Sequence, residues 1–291
     1  MATPESQPVV TEAEVTGVPD DANDLRGHHF KRLMKLPLTL VLIGTLALVV
    51  FVACLIALSA AIGAGGALLV ILLGVVVVFA IADGKAASDF FEVYAAQRGM
   101  TLIHGRGRLP EATPLLGKGD DRYTERSLLG PLGEFEGTLA LFTYEEETTD
   151  SDGNKQTNYY RYTLGLVEVE DCAKFVPELY CQRKFGLRAL EKFEDVFRAK
   201  KERVTLESES LLEKYEIFAG KEQDANWLRQ LFSPSFIVWL TDSAPDKFAF
   251  ELVDGTLCCY VSGHKENAAD LDAIATATGA VAKRLRDEAL E

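Results

Sequence analysis

A run of 47 residues, Leu36 to Ala82, contains no Asp, Glu, Lys, Arg or His, and nothing else in the 291-residue chain constrains its folding as much. As one helix the run would extend roughly 70 Å at about 1.5 Å per residue, more than twice a hydrocarbon core of about 30 Å. One span cannot use all of it. Within the stretch "ALSAAIGAGGALL", Gly63, Gly65 and Gly66 offer positive φ and close backbone approach for a chain reversal. The expectation is a transmembrane helical hairpin over 36–83, with spans at about 36–59 and 66–82 and the turn at the glycines.

The flanks set an orientation. Arg26, Lys31, Arg32 and Lys35 precede the first span, Lys85 and Arg98 follow the second, and the turn carries no charge. By the positive-inside rule both termini lie in the cytoplasm and the protein is a multi-pass resident of the cell (inner or plasma) membrane. A cleaved signal peptide fits poorly, because an acidic segment of 35 residues replaces the short basic leader and a second apolar span follows at once. Ala53, Ala57 and Ala61, with Gly44 and Gly74, supply small surfaces on which the hairpin packs against itself or a second copy. With no ionisable residue inside, the spans read as an anchor and not as a proton relay or ion path.

Residues 1–35 combine Pro, Glu, Asp, Ser and Thr with few large apolar side chains, and read as a disordered acidic tail with a basic juxtamembrane end. His28 and His29 in it lack the further ligands that a metal needs. Residues 84–104 place Ala87, Phe90, Phe91, Tyr94 and Arg98 at helical spacing and read as a connecting helix. Residues 105–291 then form a cytoplasmic domain. Its first part, Gly105 to Gly133, is rich in Gly, Pro and Arg and reads as a loop wrapping the domain edge. "GRGRLP" and "GKGDDR" within it lack the spacing of a phosphate-binding loop, so Lys118 is not assigned that role.

From Glu134 the pattern becomes strand-like. "EFEGTLALFTYEEETTDSDGNKQTNYYRYTLGLVEVE" reads as a long β-hairpin, and Asp150, Asp152 and Asn154 in its turn lack the Gly and the later Glu of an EF-hand loop. Gly186 to Lys201 reads as an amphipathic helix, "RVTLESE" and "LLEKYEIFA" as strands. Asp224 and Ser233 are positioned to cap two successive helices, the second with Pro234 at its first position. A second hairpin turns at Asp254-Gly255. An amphipathic closing helix follows, with Leu271, Ile274, Thr278, Val281 and Leu285 facing inward. Hairpins and helices in this order define a membrane-anchored α+β protein.

Over residues 204–262, "VTLESESLLEKYEIFAGKEQDANWLRQLFSPSFIVWL" followed by "FAFELVDGTLCCYVSG" resembles a bacterial family of two-span membrane proteins that carry a domain of unknown function. The shared positions are Leu206, Glu207, Tyr215, Leu228, Leu231, Pro234, Leu240 and Leu257, while Leu212 stands where that family often has Phe. The resemblance implies architecture and brings no catalytic residues.

Charge excludes one class of partner. Residues 84–291 carry 26 Lys and Arg against 37 Asp and Glu, which is the wrong sign for nucleic acid; the acidity reads first as a solubility device and leaves a basic protein partner open. The cysteines Cys172, Cys181, Cys258 and Cys259 form no C-x-x-C and have only His104 and His264 as bases in the soluble part, so neither zinc nor a nucleophilic thiol is assigned. On a strand Cys258 and Cys259 face opposite ways, one into the core and the other partly shielded. The acid pairs Glu134 with Glu136, and Glu207 with Glu209, would share a strand face but read as solvated, and Trp227 and Trp239 read as core aromatics. No catalytic, cofactor-binding or metal-binding residue is assigned, and no cofactor. The expected function is a membrane-tethered binding, scaffold or regulatory module that meets a protein partner or a second copy. The alternative is a membrane-associated, hydrolase-like enzyme with a site of dispersed acidic residues.

Overall fold

The protein was analysed as a computed structural model, which describes residues 21–57, 60–149, 153–184, 201–221 and 223–290. The chain divides into two compact units, Met1–Val93 and Tyr94–Glu291. Most of the helix expected over Gly186–Lys201, the start of the tail, and Asp150 and Asp152 of the hairpin turn lie outside the described residues.

The first unit is helical: α1 (Ala22–Lys35), α2 (Pro37–Ala57) and α3 (Ala60–Gln97). Among the described residues Leu68–Gln97 is one helix long and apolar enough to cross a membrane. A second crossing would be made by α1 and α2 together, which are bent by more than 40° at their junction. Leu36-Pro37 explains the bend, since proline lacks the N–H of a continuing helix and disfavours the helical conformation in the residue before it. The contacts between these helices run antiparallel. Ile43 lies where a side chain on Gly74 would sit, Phe30 meets Phe79 edge-on at 5.9 Å, and Arg26 pairs with Asp83.

Three expectations change here. Residues 22–35, read as part of an unstructured tail, form a helix whose Arg26 and His29 reach carboxylates on α3, His29 Nε2 lying 2.9 Å from Asp89 Oδ2. Tertiary partners supply what a polar segment this short lacks alone. Gly63, Gly65 and Gly66 do not make the turn either, because they lie inside α3. Nor is there a separate connecting helix, since α3 continues to Gln97 without a break.

The second unit is built on a nine-stranded sheet of order β1-β2-β3-β4-β9-β8-β5-β7-β6, antiparallel throughout. Its strands are β1 (Thr101–Ile103), β2 (Asp121–Leu132), β3 (Phe135–Thr149), β4 (Lys155–Glu168), β5 (Glu178–Arg183), β6 (Lys201–Arg203), β7 (Tyr215–Gly220), β8 (Ala249–Val253) and β9 (Thr256–Ser262). The expected hairpins are β3–β4 and β8–β9, the latter turning at Asp254 (φ 47°) and Gly255 (φ 87°). Residues 121–132, read as part of a wrapping loop, are instead a full strand with a bulge between Thr124 and Arg126. Pairing with β3 overrides the Gly and Pro content that suggested a loop. Residues 209–214, read as strand, form the short helix α4 (Glu209–Lys214), because Ser208 accepts the N–H of Leu211 and starts a helical turn.

One face of the sheet is covered by helices. The closing helix α7 (Ala268–Leu290) buries Leu271, Ile274, Thr278, Val281 and Leu285, the expected stripe. It starts at Asn267, which accepts the Asp270 N–H at 2.8 Å. Helices α5 (Ala225–Leu231) and α6 (Pro234–Val238) start at Asp224 and Ser233 as expected, although only Asp224 makes a side-chain cap. Trp227 of α5 donates from Nε1 to the carbonyl of Glu288 on α7. The opposite face, bearing Phe142, Tyr162, Leu164 and Tyr260, is covered by Leu109, Leu115 and Leu116 of the segment before β2.

Candidate functional site

The loop-covered face carries charge inside the core. In β8, Ala249 and Glu251 point to this face, and Glu251 is opposite Cys258 on one side and Tyr180 on the other. Glu251 is fully buried. The Leu115 N–H donates to its Oε2 at 2.9 Å and the Tyr260 hydroxyl to its Oε1 at 3.4 Å. Burial pushes the carboxyl pKa up, against the pull of the Leu115 amide, the Lys118 ammonium, the Thr113 hydroxyl and Lys201. Lys118, only 2% exposed, is lowered to about 8 by burial, with Glu251 and Glu146 drawing it back up. Lys201 is lowered to about 8 for the same reason and lies 3.5 Å from the centre of the Tyr180 ring. Tyrosines extend the row across the strands, Tyr160 stacked on Tyr144 at 4.8 Å and Tyr162 edge-on to Tyr260 at 5.8 Å.

This seam ties the 113–118 segment to the sheet. A buried carboxyl group that accepts a backbone amide near a buried lysine costs least when every member is retained, which specifies one docking of the segment. Glu251, Lys118 and Tyr260 are sealed from solvent, so the group is poor ground for turnover of a substrate. Sequence reading passed over Glu251. The signal was present, a single acid inside "FAFELV" on a strand otherwise apolar on both faces.

Other residues singled out by sequence disperse. Cys172, Cys181, Cys258 and Cys259 are all buried, so neither member of the Cys258-Cys259 pair is a partly shielded thiol. Burial holds each thiol well above its ordinary pKa, Cys172 at about 12. That is the reverse of what a nucleophilic cysteine requires. His264 contacts the Thr143 hydroxyl and the Phe142 carbonyl, each at 3.2 Å, with Glu125 at 4.0 Å. Burial lowers its pKa against the pull of Glu125.

Glu134 sits in the β2–β3 turn, ion-paired with Lys283 and Arg286, and does not share a strand with Glu136. Glu207 and Glu209 lie at the start of α4 and not on a strand. Trp227 stacks on Phe175, and Trp239 on Phe236. In the recess of about 250 Å³ beside Arg106, Arg108 and Arg122 the guanidiniums are engaged by Tyr123, Asp121 and Glu111 respectively. Among the described residues no group of three or more His, Cys, Asp and Glu could hold a metal ion.

The feature open to a partner is the far end of the β3–β4 hairpin. β2 leaves β3 at Glu145, β9 leaves β4 at Tyr162, and the two strands continue paired to Thr149 and Lys155. The result is a two-stranded arm past the edge of the sheet. Asp120 closes one side by accepting the Glu147 N–H at 2.8 Å. On the other side no strand pairs with β4 before Tyr162 among the described residues. Glu147, Thr148, Thr149, Tyr159 and Arg161 are exposed, Tyr159 by 52%. Glu145, Glu146 and Glu147 make the arm acidic; Glu145 and Glu146 are half-buried, and Glu147 is paired with Lys155 at 3.2 Å.

No family model matches the chain, and neither does any curated protein or solved structure.

Proposed function

We propose that this is a two-span membrane protein, both termini cytoplasmic, whose sheet domain binds a basic segment of another envelope protein as a scaffold or regulator. The resemblance at Leu206, Tyr215, Pro234 and Leu257 to bacterial two-span proteins with a domain of unknown function belongs to the same reading. Support for the anchor comes from side chains that water would not tolerate: Leu42, Val49, Leu68, Leu72 and Val76 of α2 and α3 are each more than half exposed. So large an uninterrupted apolar surface marks a membrane or partner contact. The observation that carries the binding role is the acidic arm. An unpaired strand edge beside the exposed Glu147 and the half-buried Glu145 and Glu146 is suited to strand addition by a basic peptide, the edge supplying backbone bonds and the acids supplying selectivity. The hydrolase-like alternative has no comparable support, because the acids that suggested it are dispersed or ion-paired.

The test is photo-crosslinking in intact membranes from a photoreactive residue replacing Tyr159. A discrete protein adduct is expected, weakened about fivefold or more by Glu146→Lys with Glu147→Lys, as for loss of steering charge. An adduct indifferent to those reversals, or none above that from a photoreactive residue at exposed Arg203, would defeat the reading.

A further inference from the structure

We infer that the strand accepted at the free edge of β4 carries an arginine directly opposite Tyr159, its guanidinium lying on the Tyr159 ring and pairing with Glu145. The inference rests on the strand-addition reading above and adds the residue that such a partner must bring. The Gly263 N–H donates to the Arg161 carbonyl at 2.7 Å, just past the end of the β4–β9 pairing. Alternate residues of an antiparallel strand turn both N–H and C=O toward the same neighbour, so Tyr159 and Thr157 present theirs to the side that β9 has left. Among the described residues no strand pairs there. An antiparallel partner, continuing the pattern of the whole sheet, would exchange both backbone bonds with Tyr159 and set one of its own side chains beside the Tyr159 ring.

Register fixes what that side chain meets. Tyr159 is directly opposite Glu145 on β3, so the carboxylate, the ring and the incoming side chain share one face of the arm. The incoming residue lies two strand spacings from Glu145, about 10 Å. Extended Arg and Glu side chains span that gap together, and the route between them passes over Tyr159. The ring is open to it, being 52% exposed, with the Arg161 guanidinium 5.8 Å from its centre, the outer limit of such a contact. Tyr123 shares the Glu145 carboxylate, whose roughly four acceptor positions leave room for a guanidinium as well. Glu147, on the same face, is already paired with Lys155, which leaves Glu145 as the acceptor. Chemistry then selects among the cations. A planar guanidinium stacks on a ring while offering a carboxylate two N–H groups, whereas a lysine ammonium is a strongly hydrated point charge.

The experiment uses the full-length protein in phosphatidylcholine nanodiscs and measures, by fluorescence anisotropy, the binding of short, end-capped, threonine-rich peptides that differ only in their central residue. The arginine peptide is expected to bind about two- to fivefold more tightly than the lysine peptide, the scale of a cation–π contact at an exposed site. The two should converge on Tyr159→Leu, whereas Tyr159→Phe, which retains a ring, should keep the difference. Glu145→Gln should weaken the arginine peptide more than one with central norleucine. Equal binding of the arginine and lysine peptides to the parent, or an arginine preference that survives Tyr159→Leu or Glu145→Gln undiminished, overturns the inference. N-methylation of the peptide's central residue separates this failure from failure of strand addition, because it removes the N–H offered to Tyr159. Binding indifferent to N-methylation, or no binding by any peptide, refutes strand addition and the arginine together. Binding that N-methylation abolishes, with no preference for arginine, refutes the arginine alone.

Discussion

At the residue scale the buried thiols give the fold a pH signature. Cys172 donates to the Val169 carbonyl at 2.9 Å, and burial holds its pKa at about 12, whereas an unfolded cysteine titrates near 9.0. Between those values the unfolded chain binds fewer protons than the folded one. The stability that the protonated thiol contributes is therefore complete below pH 9 and lost as pH rises toward 12, at about 1.4 kcal/mol per pH unit. Urea unfolding of the detergent-solubilised protein and Cys172→Ala at pH 8 and pH 10 is expected to show the difference moving about 1 kcal/mol in the variant's favour. A constant difference would mean that the thiol is hydrated in the folded state. Packing roles of this kind were legible for Trp227 and for the Leu271 stripe. For Glu251 the lone acid in an apolar strand was visible, but its tolerance in the core was not, because that depends on Leu115 and Lys118, more than a hundred residues away in sequence.

At the element scale, α7 lies so close to the sheet that glycine is needed on both partners. A Cβ on Gly279 would fall 2.6 Å from the Leu132 carbonyl oxygen and 3.0 Å from Gly133 Cα. A Cβ on Gly165 would overlap the Thr278 hydroxyl, with the Thr278 Cβ at 3.0 Å. One obstacle is backbone and the other is a side chain, so the two alanine variants should differ. Gly279→Ala and Gly165→Ala are each expected to cost about 2 kcal/mol, within the range of overpacked cores. Only Gly165→Ala should regain part of that with Thr278→Ala, read as thermal midpoints of the single and double variants. Equal behaviour would show that α7 shifts bodily to accept either methyl. The helix itself was legible from its 3.6-residue period, but its contact distance was not, since glycine in a sequence signals a turn as readily as a close approach. The cluster at Gly63 to Gly66 shows the ambiguity from the other side: read as a turn, it is helix.

At the scale of the whole molecule, α3 is 38 residues long, about 57 Å at 1.5 Å per residue, so a crossing of about 30 Å uses roughly half of it. If Ala82 marks the cytoplasmic boundary, about 20 residues of helix place the far boundary near Gly63. A cysteine replacing Ala60, just beyond that boundary, in a protein with Cys54 replaced by alanine, should then react with a membrane-impermeant maleimide applied from outside the cell. One replacing Lys155 on the exposed arm should react only after the membrane is opened. The buried thiols give little background. Labelling of both from the same side would replace the two-span topology with a single crossing.

Sequence alone determined the apolar block, the β8–β9 turn at Asp254-Gly255 and the buried stripe of α7, because length, charge exclusion and period are properties of consecutive residues. It also determined the acidity of the sheet domain. Tertiary structure alone decided the strand order that sets β9 beside β4 and β5 between β7 and β8. It decided as well the sealing of Glu251 under the 113–118 segment and the release of the β3–β4 arm beyond its neighbours. Each of these depends on which distant strands find one another, and the free energy of that choice lies in contacts that no local window of sequence contains.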